Sequence, residues 1–454
     1  MITDLKPYPA MRASGVEWLG EVPEHWEVAK LRSILRSTTS RNRPDLPLLS
    51  VVREKGVIVR DVSNQESNHN FIPDDLSNYK VVREGQFAMN KMKAWQGSYG
   101  VSKHEGIVSP AYFVFDLNGV SEDFFNRAIR SKAYVPSFTQ ASDGVRIGQW
   151  DLAQDRMREI GFSTPPLPEQ AAIVRYLDHV DRRVRRLTRA KRKLIALLTE
   201  QKQAIIHRAV TRGLDPDVPL KDSGVEWLGE VPEHWEVRRL RSLARVKTGG
   251  RDTQDRIDDG DFPFFVRSQT AERINSWSYD GEAVLTAGDG AGVAKVFHYV
   301  NGKFDYHQRV YKFSHFKDVL GKFFFEYFRA TLKFEALAGN AKSTVDSLRQ
   351  PMLLSFPCLL PPTTEQAAIV DYLDQATADI DTTIARAECE INLLNEYRTR
   401  LIADVVTGKL DVRDAAAALP EVDPLAEDEN ADDLDADPDL DTEELDEAPG
   451  EAEA

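Results

Sequence analysis

Apolar residues recur in steps of four and three from Ile173, through Leu177, Val180, Val184, Leu187, Leu194, Leu198 and Ile205, with polar Lys191 and Gln201 filling two places in the series. That spacing keeps one stripe on one side of an α-helix and predicts a long coiled-coil-like seam. A second stripe runs through Ile369, Leu373, Ala376, Ile380, Ile384, Ala387, Ile391, Leu394 and Leu401, with one four-four step after Ala376 that reads as a stutter. The expected seam residues on this helix are Ile369, Leu373, Ile380, Ile384, Ile391, Leu394 and Leu401. Pro168 suits a first turn, Thr363 with Gln366 fits a capping box, and Gly213 and Gly408 offer stops. Each helix would span about 40 residues, roughly 60 Å.

Between and before these stretches the pattern changes. Short apolar runs such as "PLLSVV", "GIVSPAYFVF", "FPFFVRS", "GEAVLTA" and "RVYKF" are broken by Gly, Asn, Asp and Pro and predict strands. "EDFFNRAIR" and "LGKFFFEYFRATLKFEAL" predict one helix in each region. The fold class is therefore α+β, two mixed α/β globules separated by two long antiparallel helices.

The chain repeats itself. "SGVEWLGEVPEHWEV" occupies residues 14–28 and returns letter for letter at 223–237, and "PPLPEQAAIVRYLD" at 165–178 is answered by "PPTTEQAAIVDYLD" at 361–374. The inserts 29–164 and 238–360 share little beyond their first residues, so a duplicated frame carries two diverged passengers. One mechanical frame that reads two different things fits this pattern. The tryptophan-rich segment would be the piece by which each passenger joins a helical seat. His25 and His234 lie within it, where packing beside Trp26 and Trp235 is the simplest account.

Charge refines the picture. The formal net charge of −15 looks hostile to nucleic acid, but residues 414–454 hold eighteen Asp or Glu and no Lys or Arg, which leaves the remainder at 58 minus 55, or +3. From 413 onward the low hydrophobicity, single sign of charge and Pro content predict a disordered acidic tail. Its simplest role is solubility; a polyanion competing for a basic surface is the sharper one. Residues 166–212 are net +8 and 361–408 net −6, which favours pairing of the two long helices with each other. The basic helix could instead present its outward arginines to phosphates. The inserts, at +4 and +5, permit nucleic-acid binding without requiring it.

In the first insert, "NKMKAWQGSYG" sets Lys91, Lys93 and Gln96 around Trp95 on a loop whose donors could reach base edges, although a surface loop with a core tryptophan reads almost as well. In the second, "VRSQTAER" offers Arg267, Gln269 and Arg273, and "GDGAGVAK" a glycine-rich turn with Lys295. Arg and Gln suit bidentate contact with guanine and adenine. Arg53, Lys55, Arg146, Arg251 and Lys342 complete the candidate DNA contacts. The glycine turn lacks the final Gly-Lys-Ser/Thr of a phosphate loop and reads as part of the insert. The sequence shows no Asn- or Asp-Pro-Pro-aromatic motif, no His or Cys spacing suited to a metal, and no supported nucleophile–base set. Two cysteines and no apolar run of membrane-spanning length point to a cytoplasmic chain that binds rather than catalyses.

With both markers and both helices in place, the chain resembles the DNA specificity subunit of Type I restriction-modification enzymes over residues 1 to about 413. The carriers are "GVEWLGEVPEHWEV" opening each half, the doubled Pro-Pro-x-x-Glu-Gln-x-x-Ile-x-x-Tyr-Leu-Asp, and "LIADVVTGKLDVR" closing the second half. The resemblance implies target recognition domains at 1–165 and 214–362, spacer helices at 166–213 and 363–412, and a tail at 413–454. It implies a bipartite, asymmetric double-stranded DNA target, and two methyltransferase subunits seated on the helices. Restriction subunits would join the full complex. S-adenosylmethionine, ATP and Mg would belong to those partners, leaving this chain without catalysis, cofactor or metal of its own. The rival reading is a coiled-coil scaffold with two protein-binding globules and no DNA preference.

Overall fold

The computed structural model describes residues 5–62, 72–73, 75–146, 149–290, 293–338 and 347–420. The elements that position the site are strand β1 (Glu27–Lys30), helix α1 (Glu122–Ile129), strand β2 (Gly161–Thr164), helix α2 (Leu167–Arg212), strand β3 (Glu236–Arg239), helix α3 (Gly321–Ala338), strand β4 (Pro357–Leu360) and helix α4 (Thr363–Val406). The long helices therefore run where the periodicity places them. Both stop at a glycine in the left-handed region, Gly213 at φ 76° and Gly408 at φ 78°.

The chain forms two compact units, residues 1–190 with 390–454, and residues 191–389. The division falls within the long helices, so each unit takes half of α2 and half of α4. In the first unit the start of α2 shares a core with the end of α4, Ile173, Leu177, Val180 and Val184 joining Leu401, Val405 and Val406. In the second, Ile206, Ala209 and Val210 from the end of α2 join Ile369, Val370 and Leu373 from the start of α4. The helix segments are antiparallel in both.

Each insert is a mixed globule. The first has a four-stranded antiparallel sheet in the order 35–37, 113–117, 87–89, 99–101. The second has six strands in the order 245–248, 310–314, 279–287, 297–306, 262–265, 272–274, with one parallel pair, Phe264 beside Asp305. A helix rich in phenylalanine covers each sheet: Phe124 and Phe125 of α1, and Phe323, Phe324 and Phe328 of α3, are essentially without solvent exposure. Burying one such ring contributes about 2–3 kcal/mol, so these rings dominate the local stability.

Three expectations need correction. Leu187 and Leu194, expected on the seam, are 42% exposed, while Thr188 is buried and Ile195 half-buried. A straight helix at 3.6 residues per turn drifts away from a strict seven-residue repeat, and the inward stripe shifts by one position. The Thr363–Gln366 capping box is replaced by another arrangement: Pro362 O accepts from the backbone N–H of Glu365 and Gln366, and the Gln366 side chain is used elsewhere. The tail expected from 413 begins with a further helical turn, Arg413–Ala417, whose Ala416 is buried and whose first residue is held by Asp411. Residues 421–454 lie outside the described residues.

Candidate nucleic-acid interface and its frame

The doubled markers form two hubs with the same wiring. Glu169, in the first turn of α2, accepts hydrogen bonds from Trp26 Nε1 at 2.8 Å and Tyr8 Oη at 2.7 Å, and meets His25 Nε2 at 2.7 Å. Glu365, in the first turn of α4, meets His234 Nε2 at 2.8 Å and Trp235 Nε1 at 3.1 Å. A carboxylate at a helix start is favoured by the helix dipole and is also the strongest acceptor for a buried indole N–H. Each tryptophan also lies against the glycine that ends the other long helix, Trp26 against Gly408 and Trp235 against Gly213. The tryptophan thus ties a helix start to a helix end in each unit.

The neighbouring glutamine fixes the insert. Gln170 Oε1 accepts from Ser121 N at 2.8 Å, immediately before α1, and its Nε2 donates to Pro165 O at 2.8 Å. Gln366 Oε1 accepts from Leu320 N at 2.7 Å, immediately before α3, and its Nε2 donates to Pro361 O at 2.9 Å and Asp318 O at 3.1 Å. The Glu-Gln pair of each marker is therefore a two-way clamp: Glu holds the tryptophan segment, Gln holds the insert. β1 pairs with β2 and β3 with β4 in matching register, Glu27 opposite Thr164 and Glu236 opposite Leu360.

Ion pairs add a second tie in each unit. Arg127 of α1 donates to Asp178 and, at 2.6 Å, to Asp181; Arg398 of α4 donates to Asp181 at 2.7 Å. Burial pushes the Asp181 carboxyl up, but Arg398 and Arg127 outweigh it and hold it below the ordinary carboxylate range. In the second unit Lys322 of α3 meets Asp374 at 2.5 Å, and Lys202 meets Asp381 at 2.5 Å. The sense of pairing is mixed. Lys202 on the basic helix meets an acid on α4 as charge predicts, whereas Asp181 is an acid on the basic helix meeting a base on α4, and Arg183, Arg185, Arg186 and Arg189 are exposed. Apolar contacts accompany both kinds of ion pair along the helices.

On the first insert, Lys93 caps a short turn, Ala94–Gln96, that carries Trp95. Trp95 is half-buried against Trp150, ring centroids 5.2 Å apart, and Lys91 is paired with Asp151 at 2.5 Å, so this loop rests on the hairpin of strands Ser142–Arg146 and Gln149–Leu152. The Trp95 ring is thus partly enclosed, with its Nε1 buried. Arg146 lies on the backbone of that hairpin, its side chain outside the described residues. Lys55 sits in the turn after Arg53. Arg53, bonded to Glu54 at 2.9 Å, lines a groove of about 880 Å³ with Gln96, Lys103, Arg130 and Lys132.

On the second insert the turns at one end of the six-stranded sheet gather cations. Arg267 meets Asp289 at 3.1 Å, Arg309 meets the other oxygen of the same carboxylate, and Arg251 bonds Ser276 at 3.0 Å and Asp305 at 3.3 Å. Burial raises the Asp289 carboxyl, yet Arg309 and Arg267 prevail and keep it below the ordinary range. Gln308 Nε2 donates to Asp252 at 2.7 Å on the same rim. Arg309 and Gln308 escaped sequence reasoning; their only signal is a polar "HQR" between two strands. Gln269 bonds Phe297 O at 3.3 Å, Arg273 bonds Gly260 O at 2.9 Å on the edge strand, and Lys295 lines a separate groove of about 800 Å³ with His207 and Lys333. Lys342 lies outside the described residues. Among the described residues no group of three or more His, Cys, Asp or Glu could hold a metal ion, and no helix is long and apolar enough to cross a membrane.

Comparison with known proteins agrees with this architecture. Residues 232–391 match the Type I restriction modification DNA specificity domain. The Escherichia coli type I restriction enzyme EcoDI specificity subunit is 30% identical over 183 residues, 40% of each chain. A protein of Methanocaldococcus jannaschii is 20% identical over 246 residues, 49% of this chain and 53% of that one. The chain thus spans between two fifths and about half of the length of these curated relatives. A solved structure described as the structural basis of complex assembly and conformational transition of the type I R-M system superposes with a TM-score of 0.61 at 17% identity, covering 86% of this chain and 99% of that one. That likeness concerns the fold: two sheet-bearing domains joined by two long helices. Over residues 232–391 the chain is thus similar to the Type I restriction modification DNA specificity domain, and the likeness of fold extends over 86% of its length.

Proposed function

We propose that this chain reads a bipartite, asymmetric double-stranded DNA target through two unlike recognition domains, residues 1–165 and 214–362, held by the spacer helices 166–213 and 363–412. The observation that carries the reading is the duplicated Glu-Gln clamp: Glu169 with Gln170, and Glu365 with Gln366, fasten two differently built inserts into one kind of seat. Duplicating the seat while the passengers diverge yields two readers whose half-sites differ. The base-contacting surface of the second domain is the rim of Arg251, Arg267, Gln308 and Arg309, whose planar donors suit guanine edges and phosphates. The matching surface of the first is the loop of Lys91, Lys93 and Gln96 with Arg53.

The chain is non-catalytic in this scheme. It docks two methyltransferase subunits, and restriction subunits in the full complex, on its helical spacer; S-adenosylmethionine, ATP and Mg serve those partners, and the assembly works in the cytoplasm. Methylation mapping of cells with and without this gene, alongside selection of bound duplexes from a random pool, tests the reading. One gapped motif with two unrelated halves is expected; binding without sequence preference or salt dependence would support the protein-binding scaffold instead.

A further inference from the structure

We propose that Arg267, Asp289 and Arg309 form one reading unit for a G·C pair in the half-site taken by the second insert, with Asp289 as the residue that positions both arginines. The inference rests on the DNA reading and adds to it a base pair and a positioning residue. Three turns supply the unit. Arg267 follows the strand Phe262–Phe265, Asp289 follows Tyr279–Ala287, and Arg309 lies in the connection between Phe297–Tyr306 and Val310–Ser314. Both arginines donate to one carboxylate, Arg267 Nη1 to Oδ1 at 3.1 Å and Arg309 Nη1 to Oδ2. The backbone beneath it is fixed on two sides: Gly288 N donates to Arg309 O at 2.8 Å, and Leu348 N donates to Gly288 O at 2.7 Å. A Cβ at 288 would lie 2.9 Å from Arg309 O, so glycine is what lets the two turns come this close. His307 is buried, and its Nδ1 accepts from the Arg309 N–H at 3.0 Å. Arg309 is thus held at its main chain by His307 and at its guanidinium by Asp289.

The tether decides what the arginines can read. An untethered guanidinium samples many rotamers and meets phosphates at any sequence, whereas one fixed by a carboxylate presents its plane before DNA arrives. Each arginine commits Nη1 to Asp289, and the guanidinium has further N–H donors, so an edge remains for guanine O6 and N7. Both side chains stay accessible, 43% exposed at Arg267 and 60% at Arg309. The half-buried Asp289 carboxylate keeps spare lone pairs that suit the N4 amine of the paired cytosine. Donors beside an acceptor therefore face the acceptors of guanine beside the donor of cytosine. An A·T pair reverses that order, with its amine on the purine and its carbonyl on the pyrimidine.

The test compares the full native chain with Asp289→Asn, which keeps the side chain's size and removes its charge. Duplexes selected from a random pool by the native chain give the motif, and affinities for that motif and for an unrelated duplex are then measured. A G·C pair is expected in the half-site that Arg309→Ala relaxes, and Asp289→Asn should discriminate about tenfold less at that pair. The unrelated duplex should bind Asp289→Asn at least as tightly as the native chain, because the variant brings one negative charge fewer to the phosphates. These opposite movements separate positioning from damage, since a rim that merely loses its structure loses both affinities together. A DNA-side measurement is independent of how the variant folds: 7-deazaguanine at that pair, which deletes the N7 acceptor, should weaken native binding about tenfold. An A·T pair or no preference at that position, native-like discrimination by Asp289→Asn, a parallel fall of both affinities, or indifference to 7-deazaguanine overturns the proposal. If the native chain selects no motif at all, the DNA reading beneath it fails instead, and this inference with it.

Discussion

Substituting the two clamp glutamates by alanine should have unequal effects. Glu169 is 7% exposed and serves two fully buried donors, Trp26 Nε1 and Tyr8 Oη, in addition to His25. Glu169→Ala leaves both donors without an acceptor, at about 1–3 kcal/mol each, so a loss of about 4 kcal/mol is expected. Glu365 serves one buried indole, and its second partner, His234, is 46% exposed in the side chain, so Glu365→Ala should cost about 2 kcal/mol. A factor of ten in equilibrium corresponds to about 1.4 kcal/mol, which makes local opening roughly a thousandfold and thirtyfold more frequent. Hydrogen exchange of the full chain reads this directly: Glu169→Ala should deprotect residues 21–30 and 161–164, and Glu365→Ala residues 230–239 and 357–360. Equal effects in both units, or unchanged protection at β1 and β3, would refute the clamp as the element that seats the inserts.

Other outcomes follow from the same geometry. Gly408→Ala should lower the melting temperature more than Gly213→Ala, because both have positive φ but a Cβ at 408 would lie 2.3 Å from Pro23 Cδ, against 3.1 Å from a Glu365 oxygen at 213. Because the Asp181 carboxyl is held below its ordinary range, its stabilisation is complete above about pH 4 and lost as pH falls through the lower folded value. The stability gap between the native chain and Asp181→Asn, about 2–3 kcal/mol, should therefore be flat from pH 5 to 7 and close below pH 4 in urea titrations. Arg267→Ala and Arg309→Ala should each relax one half-site by about 1–3 kcal/mol in binding competition while leaving the other half untouched.

Much of this architecture is legible in the letters, and the parts that are not have physical reasons. The helix limits at Gly213 and Gly408 could be read because only glycine adopts φ near 77° without strain. The seam could be followed through Ile173, Leu177, Val180 and Val184, then lost its register at Leu187, where the buried position passes to Thr188. The purpose of Glu169 and Gln170 was invisible, since a hydrogen bond to a tryptophan 143 residues away leaves no local pattern. The same holds for the rim of Arg251, Arg267 and Arg309, which three separate turns bring to one sheet end. Charge sums over whole helices do not tell which residues meet: Asp181, on the basic helix, takes Arg398 of α4.

The account stands on two independent readers fixed by one repeated seat, and insert exchange examines that claim most directly. Residues 238–360 would be replaced by the corresponding insert of a relative with a different target, retaining Glu365 and Gln366, and the recognised sequence mapped by methylation in cells supplied with the partner subunits. One half of the motif should change while the other half and the gap between them persist. A change in both halves, or in the gap alone, would contradict it.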